Sequence, residues 1–181
     1  MTVVVLSSCK KDDPSLPESY MKLGKELYDM TSVNIYFDYE SISNGTTERT
    51  YYFSDGLYQN TGALYDFESF ENATFHGHFT LYSAAEEALH VPGAYILNRE
   101  ESTSPDQQIE LVIRTIEGKR YISSRELVES TANVSGNMEV GGTLIIDVKG
   151  MLAVTNADQT MGLETFKMVM SGTIQEEVII K

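Results

Sequence analysis

Phe75-His76-Gly77-His78-Phe79-Thr80-Leu81 alternates apolar or small residues with polar ones at every step. Successive side chains of a strand point to opposite faces, so a period of two marks a strand with one buried and one solvated face. The same period recurs outward in both directions. On the N-terminal side Val33, Ile35, Phe37 and Tyr39 alternate with Asn34, Tyr36 and Asp38. On the C-terminal side Ile109, Leu111 and Ile113 alternate with Glu110 and Arg114. Further on, Leu144, Ile146 and Val148 alternate with Thr143, Asp147 and Lys149, and Phe166, Met168 and Met170 with Thr165 and Lys167. Turn chemistry stands between the runs, at Asn44-Gly45, Asp55-Gly56, Pro92-Gly93, Gly141-Gly142 and Asn156–Gln159. Short strands punctuated in this way predict an all-β fold. The expected form is an antiparallel β-sandwich, Ig-like or jelly-roll-like, of roughly 8–10 strands, with a calycin-like β-barrel as the alternative.

Two segments carry helical spacing instead. In 19–30 (SYMKLGKELYDM) Tyr20, Leu23, Leu27 and Met30 fall on one helical face, but Gly24-Lys25 sits between two short runs and suits a hairpin turn. The hairpin is the preferred reading. Residues 83–89 (SAAEEAL) are the best local helix former, with Ser83 placed to cap and Glu86 three positions on. One or two helical turns in a loop are expected there.

Residues 19–181 suffice for a single domain, and a single cysteine excludes an internal disulfide. The 27 Asp and Glu against 13 Lys and Arg leave a net charge of −14, opposite in sign to the footprint of a nucleic-acid binder. No nucleic-acid partner is expected, and a solvated acidic surface accounts for the charge. For calcium, Asn156-Ala157-Asp158-Gln159 is a poor match to the acidic loop that binds that ion.

The N-terminus reads as an address. Val3, Val4, Val5 and Leu6 form a short apolar run, Ser7 and Ser8 are small, and Cys9 is the chain's only cysteine. A lipoprotein signal peptidase needs this order: an apolar segment in the bilayer, small residues in the cleavage pocket, and a thiol to carry diacylglycerol. Leu6-Ser7-Ser8-Cys9 resembles the bacterial lipobox. Lys10-Lys11-Asp12-Asp13 resembles the acidic signal that sends Bacteroidetes lipoproteins to the outer face of the outer membrane. The resemblance implies lipidation of Cys9, palmitate included, and a lipid anchor in the outer membrane with display at the cell surface. Residues 1–8 are then a truncated signal peptide, because no Lys or Arg precedes Lys10 whereas a secretory signal has a basic region ahead of about 7–15 apolar residues. Residues 9–18, with Pro14 and Pro17, become a lipidated tether, and 19–181 the single β-sandwich domain. The competing reading of Cys9 is a small buried cysteine beside a short strand.

Three further stretches resemble a family of Bacteroidetes β-sandwich surface lipoproteins of unknown function. Tyr20-Met21-Lys22-Leu23-Gly24-Lys25-Glu26 running into Leu27-Tyr28 is similar to the family's opening hairpin. Phe79-Thr80-Leu81-Tyr82-Ser83 followed by Pro92-Gly93-Ala94-Tyr95 is similar to its central strand, loop and strand. Val134-Ser135-Gly136 through Gly142-Thr143-Leu144 to Met170-Ser171-Gly172-Thr173-Ile174 is similar to its closing strands. The resemblance implies a surface-tethered domain and brings no catalytic residue with it. Gly136 and Gly172 are expected to serve backbone geometry or tight packing.

Among residues that could carry chemistry, His76 and His78 point to the same side of one strand and could share a metal, but a site needs three or four ligands. An exposed pair without metal is the expectation, and no metal or cofactor is assigned. Nucleophilic catalysis lacks a G-x-S-x-G elbow. Carboxylate pairs for glycoside hydrolysis are available from Asp66, Glu68 and Glu71 or from Glu86 and Glu87, as chance provides in so acidic a chain. No catalytic residue is assigned. The aromatic residues are more informative, since 11 Tyr and seven Phe exceed what one core requires. Of the neighbours Tyr51 and Tyr52, one must face outward from a strand. Tyr58, Tyr65, Phe67 and Phe70 sit in the acidic middle segment 54–73 and are the candidate ligand-binding residues, because flat rings beside polar groups suit sugar or peptide binding. The competing reading packs these rings over an open end of the fold.

The expected function is therefore a non-enzymatic binding or accessory module for an extracellular glycan or protein. The alternative is a structural or adhesive fimbria-like component, with Val178-Ile179-Ile180 as a strand open to exchange. A small glycan hydrolase stands third.

Overall fold

Each alternating run falls on a strand in the computed structural model, which describes residues 18–43, 46–59, 66–84, 92–97, 108–123 and 131–175. The strands are β1 (Tyr20–Leu23), β2 (Glu26–Asp29), β3 (Asn34–Ser43), β4 (Thr46–Ser54), β5 (Leu57–Tyr58), β6 (Phe70–Glu71), β7 (Phe75–Ala84), β8 (Gly93–Leu97), β9 (Gln108–Thr115), β10 (Arg120–Ser123), β11 (Thr131–Gly136), β12 (Thr143–Thr155) and β13 (Met161–Gln175). One 3₁₀ turn, Phe67–Ser69, precedes β6. Among the described residues no helix is long and apolar enough to cross a membrane.

Eleven strands form one sheet in the order β10-β12-β11-β8-β9-β7-β4-β3-β13-β1-β2. Two further pairings, β9 with β10 and β12 with β13, close it into a ring. The ring runs β12-β13-β3-β4-β7-β9 and returns to β12 through β10 at one end and through β8 and β11 at the other. The all-β class holds, and this closure has the connectivity of the barrel alternative. Two short ladders, β3–β13 and β8–β9, are parallel, where the sequence predicts antiparallel pairing throughout. The strand count exceeds the expected number because β1, β2, β5 and β6 are short pieces laid onto or over the ring.

Alternate residues of the ring strands meet in a single apolar cluster that fills the interior, including Ile35, Phe53, Phe79, Leu111, Ile146 and Met168. A small barrel has an interior just wide enough for such side chains. Gly77 leaves the space that the Phe53 ring occupies. At one end Arg49 is buried with its guanidinium 4.7 Å from the Phe37 ring and ion pairs to Glu40 (3.6 Å) and Glu139 (3.4 Å). Beside it the Tyr51 hydroxyl donates to the Met138 carbonyl at 2.8 Å.

The 19–30 segment is a hairpin: β1 pairs with β2, Leu23 opposite Glu26, around Gly24 at φ +58. The helix expected from Ser83 is corrected in its first residues. Ser83 and Ala84 end β7, where Ser83 lies opposite Thr47 in the β4 ladder. A ladder of nine residue pairs to β4 outweighs the capping preference of one serine. Residues 85–89 lie outside the described residues, as do Cys9, the segment 1–8, the tether to residue 17, and Val178-Ile179-Ile180.

Candidate functional site

The strands β3, β4 and β7 do not present a wet outer face at every position, because the segment between β4 and β7 folds back over them. Its two ends are pinned together. The Ser54 hydroxyl donates to the Phe75 carbonyl (2.9 Å) and accepts from the Gly56 amide (3.0 Å). The Asp55 carboxylate accepts from the Thr74 amide (2.9 Å), the Thr74 hydroxyl and the Phe75 amide (3.2 Å). Between them β5 and β6 form a two-stranded ladder, Tyr58 opposite Phe70.

Between this flap and the strands lies a second apolar cluster, Tyr36 of β3 and Tyr52 of β4 with Phe70 and Ala73 of the flap, against which Tyr58 and Phe67 pack. Tyr52 is the outward member of the Tyr51–Tyr52 pair, and the flap covers it. Phe70 is buried and spends its ring on His76 (5.1 Å), Tyr36 and Tyr58. Tyr58 is half-buried, 5.8 Å from the Tyr36 ring. Phe67 is half-buried, edge-on to His76 at 6.0 Å, and reaches a groove at its other side. Tyr65 lies outside the described residues. Of the candidate binding rings, packing accounts for Phe70 and Tyr58, and Phe67 remains at a cavity.

The two histidines share a face as predicted, but His76 is only 2% exposed, not solvated. It stacks on Tyr52, and His78 lies 5.1 Å from the same ring. Burial first, then His76, Arg114 and Arg120, push His78 down to about 4. It is therefore neutral at ordinary pH. Among the described residues no group of three or more His, Cys, Asp or Glu is placed to hold a metal.

The groove beside Phe67 has a volume of about 450 Å³ and lies between the β9–β10 and β12–β13 turns. Hydrogen bonds fix both turns. The Thr115 amide donates to the Lys119 carbonyl (3.0 Å), and the Asn156 amide to the Thr160 carbonyl (2.8 Å). Arg114, Lys119, Arg120, Asn156 and Gln159 line it with Phe67. Arg114 and Arg120 stand directly opposite each other in the β9–β10 ladder, and both are exposed. Lys119 donates to Glu26 at 2.7 Å, which holds the Glu26 carboxyl below its usual range.

On the far side of Lys119 a second depression of about 550 Å³ is bordered by Gly24, Glu26, Met151, Leu163 and Glu164. The acids considered for hydrolysis lie elsewhere. Asp66, Glu68 and Glu71 line neither depression, and Glu71 accepts from the Gln59 amide at 2.6 Å. Glu86 and Glu87 are outside the described residues.

Sequence reasoning missed Arg120, Asn156 and Gln159 as groove residues, and treated Arg114 only as an outward strand position. One signal was available: three of the chain's 13 basic residues fall within 114–120. No known protein family, curated protein or solved structure matches the chain.

Proposed function

We propose that this chain is a surface-displayed lipoprotein of the Bacteroidetes type, anchored through Cys9, that acts as a non-enzymatic binding module for an extracellular glycan. The observation that carries the binding role is the groove of about 450 Å³ that joins the Phe67 ring to guanidinium and amide side chains. A ring gives a sugar an apolar platform, and Arg114, Arg120, Asn156 and Gln159 supply the convergent polar groups that fix orientation. A ligand in the interior has little room, because the core side chains fill the ring.

The anchor and the groove are tested separately. Expressed in a Bacteroidetes host with Cys9 placed directly after a bacterial lipoprotein signal peptide, the chain is expected to take up a palmitate analogue and fractionate with the outer membrane. The Cys9→Ser variant is expected to do neither, and labelling that survives the substitution excludes the anchor. For the groove, a thermal-shift screen of the full chain against oligosaccharides is expected to find at least one that raises the melting temperature, since a ligand of the folded state stabilises it by mass action. Phe67→Ala is expected to remove that rise. Assembly into strand-exchanged oligomers with no saccharide response would favour the adhesive alternative instead.

A further inference from the structure

We infer that the groove takes an anionic saccharide, whose carboxylate or sulfate is held between Arg114 and Arg120. The inference rests on the reading of the groove as a glycan site and goes on to name the class of glycan. Like charges directly opposite each other across a strand pair are destabilising. Arg114 and Arg120 occupy such a pair of positions at the edge of an open groove. The chain has 27 acidic residues to place nearby, yet among the described residues Arg114 forms no ion pair. Lys119 adds a third positive group to the same wall, tempered by Glu26.

The positive field is felt by the histidine beneath it, because Arg114 and Arg120 both contribute to holding His78 neutral. On a molecule of net charge −14 the charged side chains that line this groove are all basic, although Glu117 and Asp158 stand in the same two turns. A cleft lined by one sign of charge concentrates ligands of the other. Guanidinium groups present planar forks of N–H donors that match the oxygens of a carboxylate or sulfate. Phe67, the Gln159 amide and the Asn156 Oδ1, whose own Nδ2 donates to the Thr160 hydroxyl at 2.9 Å, then serve the ring face and hydroxyls of the sugar.

Isothermal titration of the full chain decides the matter. The probes are an oligogalacturonate, a sulfated oligosaccharide and a neutral malto-oligosaccharide of matched length. One of the acidic probes is expected to bind at least about tenfold more tightly than the neutral one, as charge-assisted hydrogen bonds allow. Its affinity is expected to fall severalfold as ionic strength rises from about 0.05 to about 0.5 M. Arg114→Gln and Arg120→Gln are each expected to lose about tenfold in affinity at a melting temperature no lower than that of the wild type, since each relieves the like-charge pair. The acidic probe that binds identifies carboxylate or sulfate as the group recognised. Equal binding of the neutral probe, abolished by Phe67→Ala and indifferent to either arginine substitution, would overturn the anionic inference and leave the glycan groove standing. Acidic binding indifferent to both arginines would also overturn it. Failure of all three probes to bind would count against both readings.

Discussion

Burial and the neighbouring His76, Arg114 and Arg120 push His78 down to about 4 from its ordinary 6.5. The unfolded chain therefore accepts a proton that the folded one refuses. His78 contributes its full stability above about pH 6.5, loses it as pH falls toward 4, and loses no more below that. The contribution is on the order of 3 kcal/mol. In His78→Gln the difference between the unfolding free energies from urea titrations at neutral pH and near pH 4 is expected to shrink by that amount, and an unchanged difference would mean another group titrates. Gly136 makes a second residue-level demand. It sits at φ +87, and a Cβ there would lie 2.2 Å from the Thr143 carbonyl oxygen. Gly136→Ala is expected to cost about 1–3 kcal/mol in thermal unfolding, and a wild-type melting temperature would refute the assignment. The sequence motif marks this glycine as structural. The neutral state of His78 is invisible there, because it depends on a flap and two arginines brought in from other strands.

At the scale of elements, the flap between β4 and β7 determines what the aromatic residues do. Composition alone singles out 54–73 as aromatic and acidic. Its strands β5 and β6 are two residues each, too short to show any period, so the ladder that aims Phe70 at His76 leaves no mark in the sequence. The hairpin at Gly24-Lys25 is legible because two short runs flank a glycine. Ser83 is misread because a local cap signal says nothing of the β4 ladder that claims it. Asp55 holds the flap shut with three hydrogen bonds. Asp55→Ala is expected to speed amide exchange at Thr74 and Phe75 and to destabilise the protein by about 1–3 kcal/mol. Unchanged exchange at both amides would show that packing alone retains the flap.

Across the whole molecule, alternation reveals which side chains face inward but not which strands are neighbours. At the groove end closure depends on β10, whose Arg120 pairs with both Arg114 of β9 and Thr155 of β12. Those pairings bring together turns that lie about forty positions apart in sequence. They also create the groove, which is why its lining was not foreseen although each residue was in view. A filled interior beneath a surface groove leaves the end of the ring, on turns held by backbone hydrogen bonds, as the place for the proposed recognition. The most direct check is a map of amide chemical-shift changes as an oligosaccharide that stabilises the protein is titrated in. The account predicts that the changes concentrate at Phe67, Gly118, Lys119, Arg120, Asn156 and Gln159. Changes confined to Gly24, Leu163 and Thr165 around the second depression, or spread over the surface without saturating, would contradict it.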